Sequence, residues 1–351
     1  RMDKVFIAGG TGMLGAATAR ELAGQGIQTI VSSRKASDPT GAALEAESDL
    51  IRMVQLDLLD GAAVRALFER ERFDGLVMVV HTHQYALTRD VNNQIYPITL
   101  NCLEAARTTG VARIVVGGSM AVYGGMMPPL TEDMAFPTEV VAVSDADEGL
   151  MKKFEVATKR ALEILTLDYA TPFQMGLSIP PGTTSPEPHA PQVAILRAPM
   201  MFGPGYAALG SPLGIAAHVA AGRLPHFKGQ MGYGHAPAEA LWAALAPIPA
   251  NYVKDNATCI RIALTAAALP HSVYNIDSGF PRSPRAQLQA VLTVAPESAD
   301  RFGIAPDDLP DSGPDLGFSG ARFAQDFGWA GQHTLETALG DYVDWLRTHP
   351  I

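Results

Sequence analysis

A glycine-rich segment near the N-terminus has the residue types and spacing that hold a pyrophosphate. Gly9–Gly15 reads GGTGMLG; it directly follows an apolar run at Val5–Ala8 and opens an amphipathic run at Met13–Gly24. Glycines there allow a tight turn, close approach of the backbone to phosphate and close helix–strand packing, and the helix N-terminus presents free N–H groups. We predict that a dinucleotide binds at Gly9, Gly10, Thr11, Gly12, Met13, Leu14 and Gly15. The alternative is a glycine-rich turn that binds no ligand.

The segment after the second apolar run indicates which dinucleotide is bound. Proteins that use NAD place an acidic residue there, about 20 residues further on, to hold the ribose hydroxyls. Val31–Lys35 reads VSSRK and contains no carboxylate. Because Ser33 offers a hydroxyl and Arg34 can pair with a phosphate through two parallel hydrogen bonds, we expect NADP, with NAD less favoured. Alternatively, Arg34 and Lys35 belong to a solvated loop.

Short apolar runs alternate with helical patterns through the first half of the chain. The predicted strands are Val5–Ala8, Thr29–Ser32, Met53–Leu56, Leu76–Val80, Ile114–Gly117 and Val193–Leu196. The predicted helices are Met13–Gly24, Ala62–Glu71, Ile98–Thr108, Leu150–Tyr169 and Leu335–Leu346. Strands that are apolar on both faces and separated by amphipathic helices indicate an α/β protein with a doubly wound parallel sheet, the Rossmann fold. We expect this domain in residues 1–200, and a smaller, irregular substrate-binding region mainly in residues 201–351.

Composition and charge exclude several classes of function. The chain has 351 residues, of which 47% are hydrophobic and 18% charged, as in ordinary globular proteins. Its 26 basic and 36 acidic residues give a net charge of −10, which disfavours nucleic acid and anionic membranes as partners. Cys102 and Cys259 have no CxxC neighbour, and nothing near the N-terminus resembles a signal peptide. We therefore expect a reducing, cytoplasmic location, no disulfide framework and no thiolate metal site.

Five segments occur in the order found in one family: Asp57–Leu58, Gly118–Gly124, Leu196–Gly205, Tyr252–Asp255 and Val273–Ile276. Together they resemble the extended short-chain dehydrogenase/reductase family of nucleotide-sugar epimerases and dehydratases, over nearly the whole chain. The resemblance implies that Ser119 is the catalytic serine and that Asp57 and Leu58 hold the adenine. It also implies cofactor contacts by Val80, His81, Lys159 and Pro199, a return of the Tyr252–Ile276 segments to the first domain, and a homodimer built from the helices near 98–108 and 150–169.

The chain departs from this family at a residue that matters for catalysis. The family carries Tyr-x-x-x-Lys, with the tyrosine as acid/base; Lys159 matches the lysine, but Glu155 stands four residues before it. No tyrosine in the chain has a lysine four residues later. Positions four apart share a helix face, so Glu155 and Lys159 can meet. Glu155 is therefore a candidate for proton transfer, for positioning Lys159, or for an ordinary surface ion pair; His81 and Tyr206 are the other candidates for proton transfer.

Two histidines, His81 and His83, alternate at the end of the fourth predicted strand. Two residues apart, they could both face the site and could share a metal ion. A third ligand with suitable spacing is missing from the sequence, so we expect no metal and assign His81 to the cofactor or the substrate.

Three functions remain open from the sequence. The first is an NADP-dependent oxidoreductase or epimerase that transfers hydride at a carbonyl or secondary alcohol of a sugar-like or specialised metabolite, with Ser119 on the reacting oxygen. The second is a lyase or isomerase with a tightly bound cofactor and Glu155 as base. The third is a dinucleotide-binding regulatory protein without turnover, which Ser119 and Lys159 argue against because neither is needed merely to bind dinucleotide.

Overall fold

A computed structural model describes residues 1–80, 93–136, 147–170, 190–205, 211–223, 249–313 and 315–349, with side chains from residue 156 onward in the third range. Its main sheet contains seven strands, all parallel: β1 Lys4–Ala8, β2 Gln28–Ser33, β3 Ile51–Gln55, β4 Gly75–Met78, β5 Arg113–Ser119, β6 Gln192–Ala198 and β9 Val273–Asn275. Strands β7 Met200–Phe202 and β8 Ala250–Tyr252 form a separate parallel pair.

The order of the strands across the main sheet is β3-β2-β1-β4-β5-β6-β9. Strands β2 and β3 therefore lie on one side of β1, and β4, β5, β6 and β9 lie on the other side. This confirms the predicted doubly wound parallel sheet. In such sheets the ligand crevice lies beyond the carboxyl ends of the strands at the point where the order reverses, which here is between β1 and β4.

Eleven α-helices lie within the described residues, four of them after the last strand. They are α1 Met13–Gly24, α2 Pro39–Glu47, α3 Gly61–Glu71, α4 Ile95–Thr109, α5 Asp147–Ala170, α6 Pro212–Ala220, α7 Val253–Thr265, α8 Pro284–Val294, α9 Ala299–Phe302, α10 Ala321–Phe327 and α11 Leu335–Thr348. A 3₁₀ turn at Met120–Tyr123 directly follows β5. Among the described helices none combines the length and the apolar character needed to cross a bilayer.

Alternation along the strands gives each face of the sheet its own core. Side chains successive in a strand point to opposite faces. Val5 and Ile7 of β1 pack with α1 and α7, whereas Phe6 of the same strand packs with α3 and α4. Because both faces of the sheet are covered by helices, most strands contain a continuous apolar run, which is why their positions could be predicted from the sequence.

The later part of the chain returns to this sheet and also forms a core of its own. Strand β9 pairs with β6 in the register Leu196↔Tyr274, and α7 packs against α1. Helices α6, α8 and α11 enclose a separate cluster around Phe202 and Tyr342. The division of the chain near residue 200 into a cofactor domain and a substrate region stays a prediction.

Candidate functional site

The glycine-rich turn lies between β1 and α1, where the sheet changes direction. Gly9 has a φ of +83°, and a Cβ atom there would lie 2.9 Å from the carbonyl oxygen of Val79. A Cβ atom on Gly15 would lie 2.2 Å from the carbonyl oxygen of Gly9. Side chains at these two positions would therefore prevent β1, β4 and α1 from approaching as closely as they do.

The start of α1 is suited to phosphate. Within this described helix, Gly12 provides no side-chain cap and the first turn carries no acidic residue. Backbone N–H groups of the first turn have no partner inside a helix, and they lie at the positive end of its dipole. The N–H of Gly12 donates to the carbonyl of Gly9 at 3.1 Å, so the suitable donors of the predicted pyrophosphate site are those of Met13 and Leu14, beside the crevice.

An acidic residue that the sequence analysis missed, Asp38, lies beside the end of β2. Ser33 is buried, and its Oγ donates to Oδ2 of Asp38 at 2.7 Å while accepting from the backbone N–H of Lys35 at 3.2 Å. Arg34, which lies between Ser33 and Lys35 in the sequence, is exposed. Although Val31–Lys35 contains no carboxylate, the carboxylate of Asp38 lies beside Ser33, because the chain folds back before α2.

Asp38 is also the N-cap of α2. Its Oδ1 accepts from the N–H groups of Thr40 at 3.0 Å and Gly41 at 3.3 Å, and the carboxylate accepts a further hydrogen bond from the side chain of Thr11. Burial raises the pKa of this carboxyl, but the hydrogen bonds from Ser33, Gly41, Thr11 and Thr40 outweigh burial and lower the pKa below its ordinary value. An acidic residue followed by proline is a recognised helix start, so Asp38–Pro39 was the signal that could have revealed α2.

The turn after β3 lies beside the end of β2, where the adenine is expected. The N–H of Leu56 donates to the carbonyl of Ser33 at 2.8 Å. Asp57 is exposed and its Oδ1 accepts from the N–H of Leu59 at 3.0 Å, whereas Leu58 is buried. The carbonyl of Leu58 accepts from Asn101 of α4 at 2.9 Å. The two predicted adenine residues therefore sit in a fixed turn; their contact with adenine stays a prediction.

Ser119 and Lys159 line one cavity beyond the carboxyl ends of β4 and β5. Val80 and Thr99 form other parts of its wall. The Oγ of Ser119 accepts from the N–H of Ala121 at 3.1 Å and so caps the 3₁₀ turn. Since that bond uses a lone pair, the hydroxyl proton stays available to donate to a substrate oxygen. The structure thus brings three predicted site residues to one cavity, and their catalytic and binding roles stay predictions.

A second missed residue, Arg160, connects the helix of Lys159 with the turn that follows Ser119. Arg160 is buried; its Nε donates to the carbonyl of Val122 at 2.8 Å and its Nη2 to the carbonyl of Gly124 at 3.1 Å. These bonds fix α5 against the 3₁₀ turn. The spacing between Lys159 and Ser119 therefore depends on the residue next to the lysine, which no sequence pattern singled out.

A buried ion pair supports the same corner of the cavity. Nε and Nη2 of Arg197 donate to the carboxylate of Glu163 at 3.0 and 2.7 Å. Nη1 of Arg197 donates to the hydroxyl of Tyr123 at 2.8 Å, and that hydroxyl donates to Oδ1 of Asn275 at 2.7 Å. Burial raises the pKa of the Glu163 carboxyl above its ordinary value, while the guanidinium of Arg197 acts in the opposite direction without cancelling the effect of burial. The network joins α5, the 3₁₀ turn, β6 and β9.

The remaining predicted residues are divided between described and undescribed parts of the chain. Pro199 is buried directly after β6. Glu155 lies in α5, but its side chain, like His81, His83 and Tyr206, lies outside what the structure describes. The contact between Glu155 and Lys159 therefore stays a prediction. In the described part of the chain, no group of three or more histidine, cysteine or acidic residues is arranged to hold a metal ion.

The model of the NAD dependent epimerase/dehydratase family matches residues 5–144, which run from β1 past the 3₁₀ turn after Ser119. The epimerase/dehydratase resemblance seen in the sequence is thereby confirmed for the part of the chain that contains the glycine-rich turn and the predicted catalytic serine.

Curated relatives match a similar share of the chain. The UDP-glucose 4-epimerase of Mus musculus is 27% identical over 157 residues, and that of Bos taurus is 30% identical over 158 residues. Each alignment covers 39% of this chain, and 43% and 42% of the two relatives. The chain therefore spans about two fifths of the length of the curated relatives it matches.

A solved structure extends the likeness in fold to almost the whole chain. The UDP-glucose-4-epimerase from Stenotrophomonas maltophila, with bound NAD and formylated UDP-arabinopyranose, aligns with a TM-score of 0.68 at 20% identity. The alignment covers 99% of this chain and 98% of that one. At this level of identity the comparison establishes the fold.

Proposed function

We propose that this chain is an NAD(P)-dependent enzyme of the epimerase/dehydratase type that acts by hydride transfer on a carbonyl or secondary alcohol. The observation that carries the proposal is the shared cavity of Ser119 and Lys159, which lies beyond β4 and β5 and whose wall includes Val80, beside Gly9 of the glycine-rich turn. A protein that only bound dinucleotide would not need the hydroxyl of Ser119 beside that lysine. Sequence-related epimerases support the same reaction class.

Each side chain has a distinct role in this proposal. A nicotinamide bound along the crevice would supply the hydride chemistry. Ser119 donates its hydroxyl proton to the substrate oxygen. The proton is available because the bond from Ala121 uses only a lone pair of the Ser119 hydroxyl. Lys159 holds the nicotinamide ribose and adds positive charge beside the reacting oxygen. Glu155 exchanges the proton that the family's tyrosine would otherwise handle.

The substrate in this proposal is a sugar linked to a nucleotide. The support is the set of relatives, because both curated proteins are UDP-glucose 4-epimerases and the solved neighbour holds a UDP-sugar. NADP is the proposed cofactor, with Arg34 as the contact to the 2′-phosphate. Arg34 is exposed at the end of β2, where its guanidinium is free to reach a ligand on the surface of the crevice.

The proposal also includes a homodimer in the cytoplasm. Leu100 of α4 and Ile164 of α5 are exposed to 41% and 64%, and the two helices pack against each other. Large apolar side chains on two adjacent helices favour burial against a second copy of the same pair, as in a four-helix interface.

A second function keeps the cofactor but changes the reaction. Glu155 replaces the tyrosine of the family's motif, and a carboxylate is a natural base beside a carbonyl. A lyase or isomerase that uses its cofactor transiently or structurally would therefore also fit these residues.

The experiment combines cofactor binding with a substrate panel. Purified protein is titrated with NADPH and NADH by fluorescence and then incubated with UDP-sugars, simple ketones and secondary alcohols, with products resolved by chromatography. We expect the parent protein to turn over a UDP-sugar. The rate of this turnover should fall at least tenfold in Lys159→Met, but not in the matched control Lys254→Met, which replaces an exposed lysine. Binding of NADPH without any turnover would favour a non-catalytic protein, and an elimination product would favour the lyase.

A further inference from the structure

Two hydroxyls beside the expected adenosine ribose are both directed at one carboxylate. The Oγ of Ser33 donates to Oδ2 of Asp38 at 2.7 Å, and the side chain of Thr11 donates to the same carboxylate. Ser33 ends β2, and Thr11 lies within the glycine-rich turn. Asp38 therefore ties the two elements that enclose the adenosine half of a dinucleotide.

Each of these hydroxyls has a single proton, and a carboxylate can only accept. With their protons engaged by Asp38, Ser33 and Thr11 present lone pairs to a ligand. Lone pairs accept a hydrogen bond from a ribose 2′-hydroxyl but repel the oxygens of a 2′-phosphate. The carboxylate adds a negative charge of its own at the same place.

Arg34 acts in the opposite direction, because its guanidinium favours a phosphate. The chain therefore contains one residue that favours the phosphorylated cofactor and one that opposes it. Arg34, directly after Ser33, favours NADP, and Asp38, five residues after Ser33, opposes it. Sequence spacing alone indicates only Arg34. Asp38 lies beside the end of β2 because the chain folds back at the start of α2.

We infer that Asp38 determines cofactor specificity by holding the hydroxyl protons of Ser33 and Thr11, and so limits the preference for NADP over NAD that Arg34 creates. The inference rests on the proposed binding of a dinucleotide at this site. It assigns Asp38 a positioning role, since the residue acts on the ligand through the two hydroxyls as well as through its charge.

Asp38→Asn tests this directly. The amide keeps an oxygen that can accept from Thr40 and Gly41, so the start of α2 is retained. Its NH₂ group donates to Ser33 and Thr11, which frees their protons for a ligand, and the negative charge is removed. One hydrogen bond regained by a 2′-phosphate corresponds to about a three- to tenfold change in affinity.

The measurement is the ratio of the dissociation constants of NADH and NADPH, obtained by fluorescence titration of the full chain. We expect this ratio to rise about three- to tenfold in Asp38→Asn. Asp38→Ser keeps a side-chain cap without charge and should shift the ratio in the same direction, which covers the case in which the asparagine variant does not fold. Asp300→Asn removes one exposed carboxylate far from β2 and should leave the ratio unchanged.

Two results would overturn the inference while leaving the proposed function intact. One is an unchanged ratio in both variants at parent-like thermal stability. The other is an equal loss of affinity for both cofactors, which means that Asp38 serves only to build the turn. A parent protein that binds neither cofactor refutes the proposed function and this inference together.

Discussion

Glu163→Gln should be strongly destabilising, because it leaves the buried charge of Arg197 without its counterion. The two side chains are only 5% and 4% exposed, and the guanidinium contacts both carboxylate oxygens. Removing one member of a buried pair costs about 3–5 kcal/mol, since the other charge cannot be hydrated. The amide oxygen of glutamine still accepts one hydrogen bond, but its NH₂ group faces a guanidinium donor, so the loss includes the charge and one hydrogen bond.

The chain contains a matched pair for comparison. Arg20 and Glu47 form the same two-point contact, with Nε and Nη2 donating at 2.6 and 2.8 Å, but their side chains are 44% and 45% exposed. Glu47→Gln should cost less than about 1 kcal/mol, because water replaces the lost partner.

The assay is urea-induced unfolding followed by circular dichroism, with the free energy of unfolding extrapolated to water for the parent and both variants. Burial is the feature that distinguishes the two pairs, so the reasoning requires the Glu163 variant to lose at least about 2 kcal/mol more than the Glu47 variant. Equal losses would refute it, and would mean that Arg197 reaches water or another anion when Glu163 is neutral.

Three other substitutions test separate parts of the site and the proposed assembly. Glu155→Gln should lower the turnover number by about 10²–10⁴ with cofactor affinity retained; an unchanged turnover number would make Glu155 the ion-pair partner of Lys159. Arg34→Ala should weaken NADPH binding about tenfold, or about 1.4 kcal/mol, with little change for NADH, and equal losses for both would contradict the 2′-phosphate contact. Ile164→Glu should convert a dimer to a monomer in light scattering, whereas Ile304→Glu, exposed in the later part of the chain, should not; a monomeric parent would exclude the proposed interface.

The fold was readable from the sequence because its signals are local. Apolar runs placed the strands within a few residues, and the glycines of Gly9–Gly15 marked a turn where a side chain on Gly9 would collide with the backbone directly after β4. Helix α2 was missed because its apolar residues are few: only Gly41 and Leu44 are buried, so the helix leaves no periodic pattern. Its signal in the sequence is the capping residue Asp38 followed by a proline.

The site was predictable only where one element carries the pattern. Ser119 and Lys159 were found by resemblance, each within its own segment, and the structure places them in one cavity. Arg160 was missed because its partners are backbone carbonyls of another element, which leave no trace in residue types. Asp38 was missed as a nucleotide-site residue for the same reason: its contacts with Thr11 and Ser33 depend on how the chain folds back.

The network below the cavity has a consequence for how the protein is synthesised. The hydroxyl of Tyr123 donates to an asparagine that follows it by 152 residues, and the carbonyl of Leu130 accepts from the same asparagine across 145 residues. Residues 5–144 can leave the ribosome and begin to pair their strands, but the turn beside Ser119 gains these bonds only when β9 docks at the edge of the sheet. Contacts between such distant parts of a chain form slowly. A nascent chain will therefore complete its glycine-rich turn well before the corner that supports its catalytic serine.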